Sequence, residues 1–343
     1  MTIDLRASFP ECRPNSLGQH KEQPMPQAAN EVNRYRIVSM DGGGLRGIIP
    51  LAILERLDGA VPDWRKQVNM FAGTSTGGLI AMGLAAGMEP GQLLDIYMTK
   101  GPLIFQRTLW REVKSVDDLS GPKYDSANRE QVCREVFQDK RLSGFRSADK
   151  TKGHVVITSF DLDDRSDSDT AKRRWKAKIF HNLPTSDDSG DDLEYAYRVA
   201  MRTSAAPTYF SSYDGFVDGG VFANNPSMCA LAQTQDRRLA TPIAFDSVRM
   251  LSLSTGFFPY HMEGDERWGV LQWAPKIVSL LMDGVNEVAD FQTAQMMASQ
   301  DYYRIPMRLQ TDIAMDDASE LGVLQRIGNL VDISQATQFV KNW

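Results

Sequence analysis

A serine held between two glycines, Gly73-Thr74-Ser75-Thr76-Gly77, joins an apolar run, Val68 to Ala72, to a second apolar segment, Leu79 to Ala86. A strand, a tight turn and a helix in that order strain the serine backbone and lift its Oγ clear of the sheet, while the glycines leave room for backbone and substrate. Ser75 is therefore a candidate nucleophile for acyl transfer. Such a nucleophile needs a base for its proton and donors for the oxyanion that forms on the attacked carbonyl. The segment Asp41-Gly42-Gly43-Gly44-Leu45-Arg46-Gly47 offers the donors. Successive glycines let N–H groups turn into one concavity, and the positive end of a following helix adds to the field. Arg46 can place a guanidinium beside the same site.

For the base, Asp218 ends a short apolar stretch, Gly215 to Val217, and precedes Gly219-Gly220, so its carboxylate can be held at an opening. An ordinary Asp, with a pKa of about 3.9, is a poor base for a hydroxyl. It serves only where the site is dry and the hydrogen bond short enough to make proton transfer concerted with attack. Standing alone, the motif would favour an Asp that stabilises its own Asp-Gly turn. Histidine is the usual base: His20 lies in a loose N-terminal stretch, and His154 and His181 border predicted strands. His261 is the rival, because Ser75, Asp218, His261 is the chain order of an α/β-hydrolase triad. The glycine loop also satisfies Gly-x-Gly-x-x-Gly, the dinucleotide fingerprint, which expects an acidic residue at the end of the next strand. Asp63 has the right separation but precedes that strand.

These residues must be positioned by a strand over Arg36 to Met40, the glycine loop, and a helix with Pro50 in its first turn and Leu51, Leu54 and Leu57 in register. The second strand, the serine turn and another helix follow, and this alternation predicts a mainly parallel sheet with helices on its faces. Pro90 to Thr99 reads as a further helix. Gly101 to Ser126 reads as a long connection, either a lid or a packed insertion. Strands are expected at His154 to Phe160, Ala177 to Phe180, Gly215 to Val217 and Val248 to Ser254, with helices at Leu193 to Arg202 and from Ser227 to about Arg238. From Trp268 the chain reads as mostly helical, with an edge strand at Tyr302 to Met307. The organisation expected is a lead-in over 1–33, a catalytic domain over 34–263, and a C-terminal part over 264–343 packed on that domain.

Composition bounds the function. With 343 residues, 42% hydrophobic and 24% charged, the chain is ordinary for a globular protein with a sizeable core. A net charge of -6 and a pI near 5.4 speak against nucleic acid as a partner. The basic stretch Lys172-Arg-Arg-Trp-Lys-Ala-Lys178 reads as a solvated hairpin edge or as a contact for anionic lipid or nucleotide. Cys12, Cys133 and Cys229 are too scattered for a disulfide framework and fit a reducing compartment. The start of the chain carries no apolar core of signal-peptide type. The apolar runs fall short of the ~20 residues that span a bilayer, so a cytoplasmic protein that meets a membrane from the water side is expected.

Taken together, Asp41-Gly-Gly-Gly-Leu-Arg-Gly47, Gly73-Thr-Ser-Thr-Gly-Gly78 and Asp218-Gly-Gly220 resemble the three motifs of the patatin-like phospholipases, in the family's order. Thr203-Ser-Ala-Ala-Pro-Thr-Tyr-Phe210, Ala223-Asn-Asn-Pro226 and Leu251-Ser-Leu-Ser-Thr-Gly256 add to the likeness, which covers roughly residues 34 to 256. The resemblance implies a three-layer α/β/α fold with a mainly parallel central sheet. It also implies phospholipase A-type cleavage by a serine-aspartate dyad, with no metal or other cofactor. By position, Ser75 is then the nucleophile, Asp218 the base, and Gly42, Gly43 and Gly44 the oxyanion loop, assisted by Arg46. The partners expected are a phospholipid or other acyl-ester lipid, a transiently touched membrane surface, a second copy of the chain, and a cyclic nucleotide activator of the kind that triggers some bacterial members. Met70, Phe71, Leu79, Tyr209 and Phe210 are candidates for the acyl cleft, although residues of these types are more often plain core.

Overall fold

The computed structural model describes residues 34–106, 121–164, 169–188, 190–259 and 269–343. Strand β1 (Tyr35–Met40) runs through the glycine loop into α1 (Ile48–Ala60), and β2 (Met70–Thr74) leads into α2 (Thr76–Ala85) and α3 (Pro90–Ile104). Helix α4 (Ala127–Phe137) precedes β3 (His154–Asp161) and β4 (Lys176–His181). Next come α5 (Ala196–Thr203), β5 (Phe216–Asp218), α6 (Gly220–Ala223) and α7 (Ser227–Thr234). The chain closes with β6 (Val248–Leu253), α8 (Val270–Met296), β7 (Tyr302–Ile305), α9 (Leu321–Leu330) and α10 (Ser334–Lys341).

The strands form a seven-stranded sheet in the order β4-β3-β2-β1-β6-β7, with β5 also paired to β3. All pairings are parallel except β3 with β4 and β3 with β5. Alternation along the strands builds two cores, because successive side chains point to opposite faces. Val38, Met40, Phe71, Ile157 and Leu251 face the layer that includes α1, α2 and α5. Ile37, Met70, Ala72, Val156 and Met250 face Leu231 of α7 and Met297, just beyond α8. The three-layer α/β/α arrangement that the family resemblance implies is thus the fold.

Helix α1 is buried nearly all round, at Ile48, Ile49, Leu51, Ile53, Leu54 and Leu57. That requires cover beyond the sheet, and α3 and α9 supply it. Gly328 of α9 sits so close that an added Cβ would come within 2.7 Å of Ala52 Cβ. Arg56 of α1 donates to the carbonyls of Gly328 and Val331 at 2.9 and 2.7 Å. The C-terminal residues are therefore built into the same core, with β7 as the sheet's edge beside β6.

The site-bearing loops all leave the carboxyl ends of neighbouring strands: the glycine loop after β1, the serine turn after β2, and Ser254-Thr255 after β6. Connections leave β1 toward β2 on one side while β6 returns on its other side. This is the switch point where open α/β sheets place their ligands. Beyond the second strand stands Ser75, not an acid, and Asp63 pairs instead with exposed Lys66 at 2.7 Å. The dinucleotide reading ends there.

Candidate active site

Ser75 adopts φ 54° and ψ -123° between β2 and α2, a backbone region that costs a non-glycine residue roughly 1–3 kcal/mol. The surroundings enforce it. A Cβ on Gly73 would run into the Gly77 backbone, and one on Gly77 into the carbonyl of Met40. The Ser75 N–H donates to Thr203 Oγ1 at 2.8 Å, and that hydroxyl donates to Thr158 O at 2.6 Å. Thr74 Oγ1 donates to Ala223 O at 2.6 Å, tying the serine turn to the segment after Asp218. Thr203→Val keeps the shape and leaves the Ser75 N–H buried without an acceptor. A stability loss of about 1–3 kcal/mol and a fall in turnover of roughly ten- to a hundred-fold are expected, read from thermal melts and kcat side by side.

Asp218 arrives from the other end of the chain on β5, whose antiparallel register sets it opposite Ser159. Its N–H donates to Ala205 O at 3.0 Å. Its Oδ1 accepts the Gly220 N–H at 2.7 Å. Gly219 allows the turn, since a Cβ there would lie 2.5 Å from Thr158 backbone. The carboxyl is 1% exposed, and its Oδ2 takes no hydrogen bond among the described residues. Burial pushes its pKa up to about 6, against the lowering effect of the Ser75 hydroxyl, the Gly220 N–H and the Arg129 charge. The Ser75 hydroxyl thus stands near enough to favour the carboxylate, yet short of a fully formed hydrogen bond, as is common before substrate tightens a site.

The glycine loop lies above this pair. A Cβ on Gly42 would sit 3.4 Å from Ser75 Cβ and inside contact of Asn224 Oδ1. The Gly42 N–H is already given to Asn224 O at 3.0 Å, and its carbonyl accepts from Thr255 Oγ1 at 2.5 Å. Gly42 therefore offers its missing side chain, not a free donor. The amides of Gly43 and Gly44 have no acceptor among the described residues. Gly44 holds φ 58°, in the left-handed region that favours glycine. The loop is clamped at both ends. Asp41 receives both prongs of Arg304 at 3.2 and 2.6 Å, and the Leu45 N–H donates to Met315 O at 2.7 Å.

Ser75, Asp218, Gly43 and Gly44 open onto an apolar pocket that encloses about 990 Å³ of empty space, mouth included. Helices α3 and α4 line its far side, the latter through Arg129, Val132, Cys133 and Val136. Of the expected cleft residues, Leu79, Tyr209 and Phe210 line it, whereas Met70 and Phe71 belong to the cores on opposite sheet faces. Arg46 lines a neighbouring polar cleft with Asp283 and Asp312, and the two openings share Tyr209, Met282 and Met315. Arg129 is 2% exposed, donates through Nη1 to the carbonyl and hydroxyl of Ser204, and lies 4.3 Å from the Phe210 ring centroid. Burial lowers its pKa to about 10, and it makes no ion pair among the described residues.

His261 and His20 lie outside the described residues. His154 is buried at the opposite end of the strands from Ser75, its Nδ1 2.6 Å from Tyr35 Oη, and burial lowers its pKa to about 4. Burial lowers that of His181 as well. Among the described residues no group of three or more His, Cys, Asp or Glu side chains is placed to hold a metal ion. Reading the sequence without structure missed α4 and Arg129, although Arg129, Val132, Cys133 and Val136 recur at helical spacing. Thr203, Asn224 and Thr255 stood inside the recognised segments without assigned roles. Arg304 and Met315 carried no signal.

The family model described as patatin-like phospholipase matches residues 38–231. Patatin-like protein 2 of Oryza sativa subsp. indica is 28% identical over 362 residues, spanning 89% of this chain and 84% of its own length. Patatin-like protein 1 of the same plant is 30% identical over 338 residues, 83% of this chain and 77% of its own. The putative sporulation hydrolase CotR of Bacillus subtilis (strain 168) is 26% identical over 341 residues, 90% of this chain and 98% of its own.

Proposed function

The chain belongs to the patatin-like phospholipase family and is a lipid acyl ester hydrolase, and from that premise we propose that Ser75 and Asp218 carry out the cleavage as a dyad on phospholipid esters. The observation that carries the reading is the buried, unpartnered Oδ2 of Asp218 beside the hydroxyl of a strained serine, facing an apolar pocket. Asp218 takes the Ser75 proton as Oγ bonds to the acyl carbonyl, and the Gly43 and Gly44 amides receive the oxyanion. Collapse breaks the ester bond, and Asp218 returns the proton to the departing alcohol, a lysophospholipid. Water then attacks the acyl-serine, Asp218 accepts a proton from it, and the fatty acid leaves as Ser75 regains its hydrogen. The first N–H groups of α2, which have no partner within the helix, add positive potential at the same point.

A lipid panel assayed with wild type, Ser75→Ala, Asp218→Ala and His261→Ala side by side tests the dyad. The first two variants are expected to lose turnover by about 10³ or more, and His261→Ala to retain it. A matching loss in His261→Ala would replace the dyad with a triad. Since the base must be ionised, kcat/KM should rise with pH through about 6, the value to which burial brings Asp218. Arg129→Met removes a charge that favours the carboxylate and should move that limb to higher pH; a stationary limb would separate Arg129 from the base.

Control by a cyclic nucleotide has lost one of its supports. In the basic segment Lys172, Arg173, Lys176 and Lys178 each pair with an aspartate, at 3.6, 3.4, 2.7 and 2.6 Å. Four of its five cations thus face neighbouring aspartates, as in the solvated-edge reading. Activity of ligand-free protein with and without cyclic nucleotides decides the matter, and a site assembled as this one is should be active without them. Among the described residues no helix is long and apolar enough to cross a membrane, so contact with a lipid surface would be made from one side.

A further inference from the structure

We propose that the outer face of α8 is the surface on which this enzyme rests against a zwitterionic phospholipid bilayer while it feeds. The inference rests on the ester-hydrolase reading of the site. Helix α8 has two faces of unlike character. Its inner face is buried at Met282, Ala289 and Thr293 and docks on the segment that follows Asp218. There Asn224 Nδ2 donates to Asn286 Oδ1 at 3.1 Å, and the hydroxyls of Ser227 and Thr293 lie 3.0 Å apart. Half a turn away, Ile277, Leu280, Leu281, Val288 and Phe291 point outward, with Val288 and Phe291 54% and 64% exposed. Their steps of three, four and seven or eight residues put them on one stripe of a helix with 3.6 residues per turn. Scattered exposed apolar residues are normal on a protein surface, but a contiguous stripe of this kind marks an interaction face.

Continuity with the site selects the occupant. Met282, on the inner face, lines both the pocket of Ser75 and Asp218 and the polar cleft of Arg46. One helix therefore separates a wall of the site from whatever covers the stripe. A helix with its side chains is about 10 Å across. An amphipathic helix lying in a bilayer interface sinks its apolar face roughly 5–10 Å into the boundary between headgroups and acyl chains. Such a pose brings the mouth to the level where the ester bonds lie, and an acyl chain reaches the apolar pocket without crossing much water. Glu287 stands on one flank of the stripe, beside Asp283, which faces Arg46 in the polar cleft, and Asp290, which meets Arg304 at 3.8 Å, and the whole chain carries a charge of -6. An anionic surface is therefore repelled, and attachment to a zwitterionic one rests on apolar burial, with little dependence on salt.

The test uses the full chain, sonicated phosphatidylcholine vesicles and a soluble short-chain ester, with wild type and the double variant Leu281→Glu, Phe291→Glu. Both side chains lie outside the pocket lining, at 48% and 64% exposure, so the soluble ester should be cleaved at the wild-type rate. Cosedimentation with vesicles should be lost, and vesicle hydrolysis should fall at least tenfold. Retained vesicle binding by the variant, or equal loss on both substrates, overturns the proposal. So does a wild type that cleaves the soluble ester but does not cosediment, and that result leaves the hydrolase reading standing. A wild type that cosediments through this face yet cleaves neither substrate fails the hydrolase reading and not the docking face. Dimer mass in the wild type and monomer mass in the variant, with vesicle hydrolysis unchanged, assigns the stripe to a second copy and also overturns the proposal.

Discussion

Asp218→Asn is expected to abolish ester turnover, by about 10³ or more, and to make the protein more stable. The two effects share one cause. Burial raises the Asp218 pKa from 3.8 to about 6, so between those values the folded chain holds a proton that the unfolded chain has released. Wild-type stability therefore falls as pH rises through this window, and the loss is complete above the folded value. At about 1.4 kcal/mol per pH unit, ionising the buried carboxyl costs the fold about 3 kcal/mol at neutral pH. Asparagine keeps the acceptor for the Gly220 N–H and carries no charge. The variant should match the wild type near pH 4 and exceed it by about 3 kcal/mol at pH 8, an order-of-magnitude figure read from denaturant melts at both pH values. A margin over the wild type no greater at pH 8 than at pH 4 would mean that Asp218 is not ionised against its surroundings, and the base would have to be sought elsewhere.

Arg304→Met should be the most damaging substitution far from the serine. Asp41 is fully buried, and Arg304 meets it with both prongs while also donating to Ser252 Oγ at 2.7 Å. Burial alone would raise the Asp41 pKa and lower that of Arg304; the mutual attraction opposes both, and the two-pronged contact marks the pair as ionised. Removing one partner strands a carboxylate in the core, at a cost of about 3–5 kcal/mol. Because the stranded carboxyl is held neutral at low pH and penalised as it ionises, the destabilisation should grow as pH rises. Asp41→Asn added to Arg304→Met removes the orphaned charge and should recover most of the loss, measured as denaturant midpoints for single and double variants. Turnover should stay low in the double variant, since the glycine loop has lost one of its two clamps.

Much of this was legible without coordinates because it is local. Gly73, Ser75 and Gly77 announce a strained turn, and the apolar runs Arg36 to Met40 and Val68 to Ala72 announce the strands that lead into the glycine loop and that turn. The meeting of Ser75 with Asp218 was inferred from motif company, since no local rule joins residues so far apart. What stayed hidden depends on tertiary closure. Arg304 and Asp41 become partners only when β7 joins the sheet beyond β6. Gly42 reads like its two neighbours, yet its amide is taken by Asn224, a fact set by where the chain returns after β5. Helix α4 escaped because its sequence is largely polar, with Arg129 as the first residue of its pocket-facing stripe.

Activation of Ser75 by Asp218 is read out by mass-mapping the adduct left by a fluorophosphonate and timing its formation in wild type, Asp218→Asn and His261→Ala. An adduct is expected on the peptide bearing Ser75, formed at the same rate in His261→Ala and at least about 10³ more slowly in Asp218→Asn. An adduct elsewhere, none at all, or labelling that ignores Asp218 would contradict it.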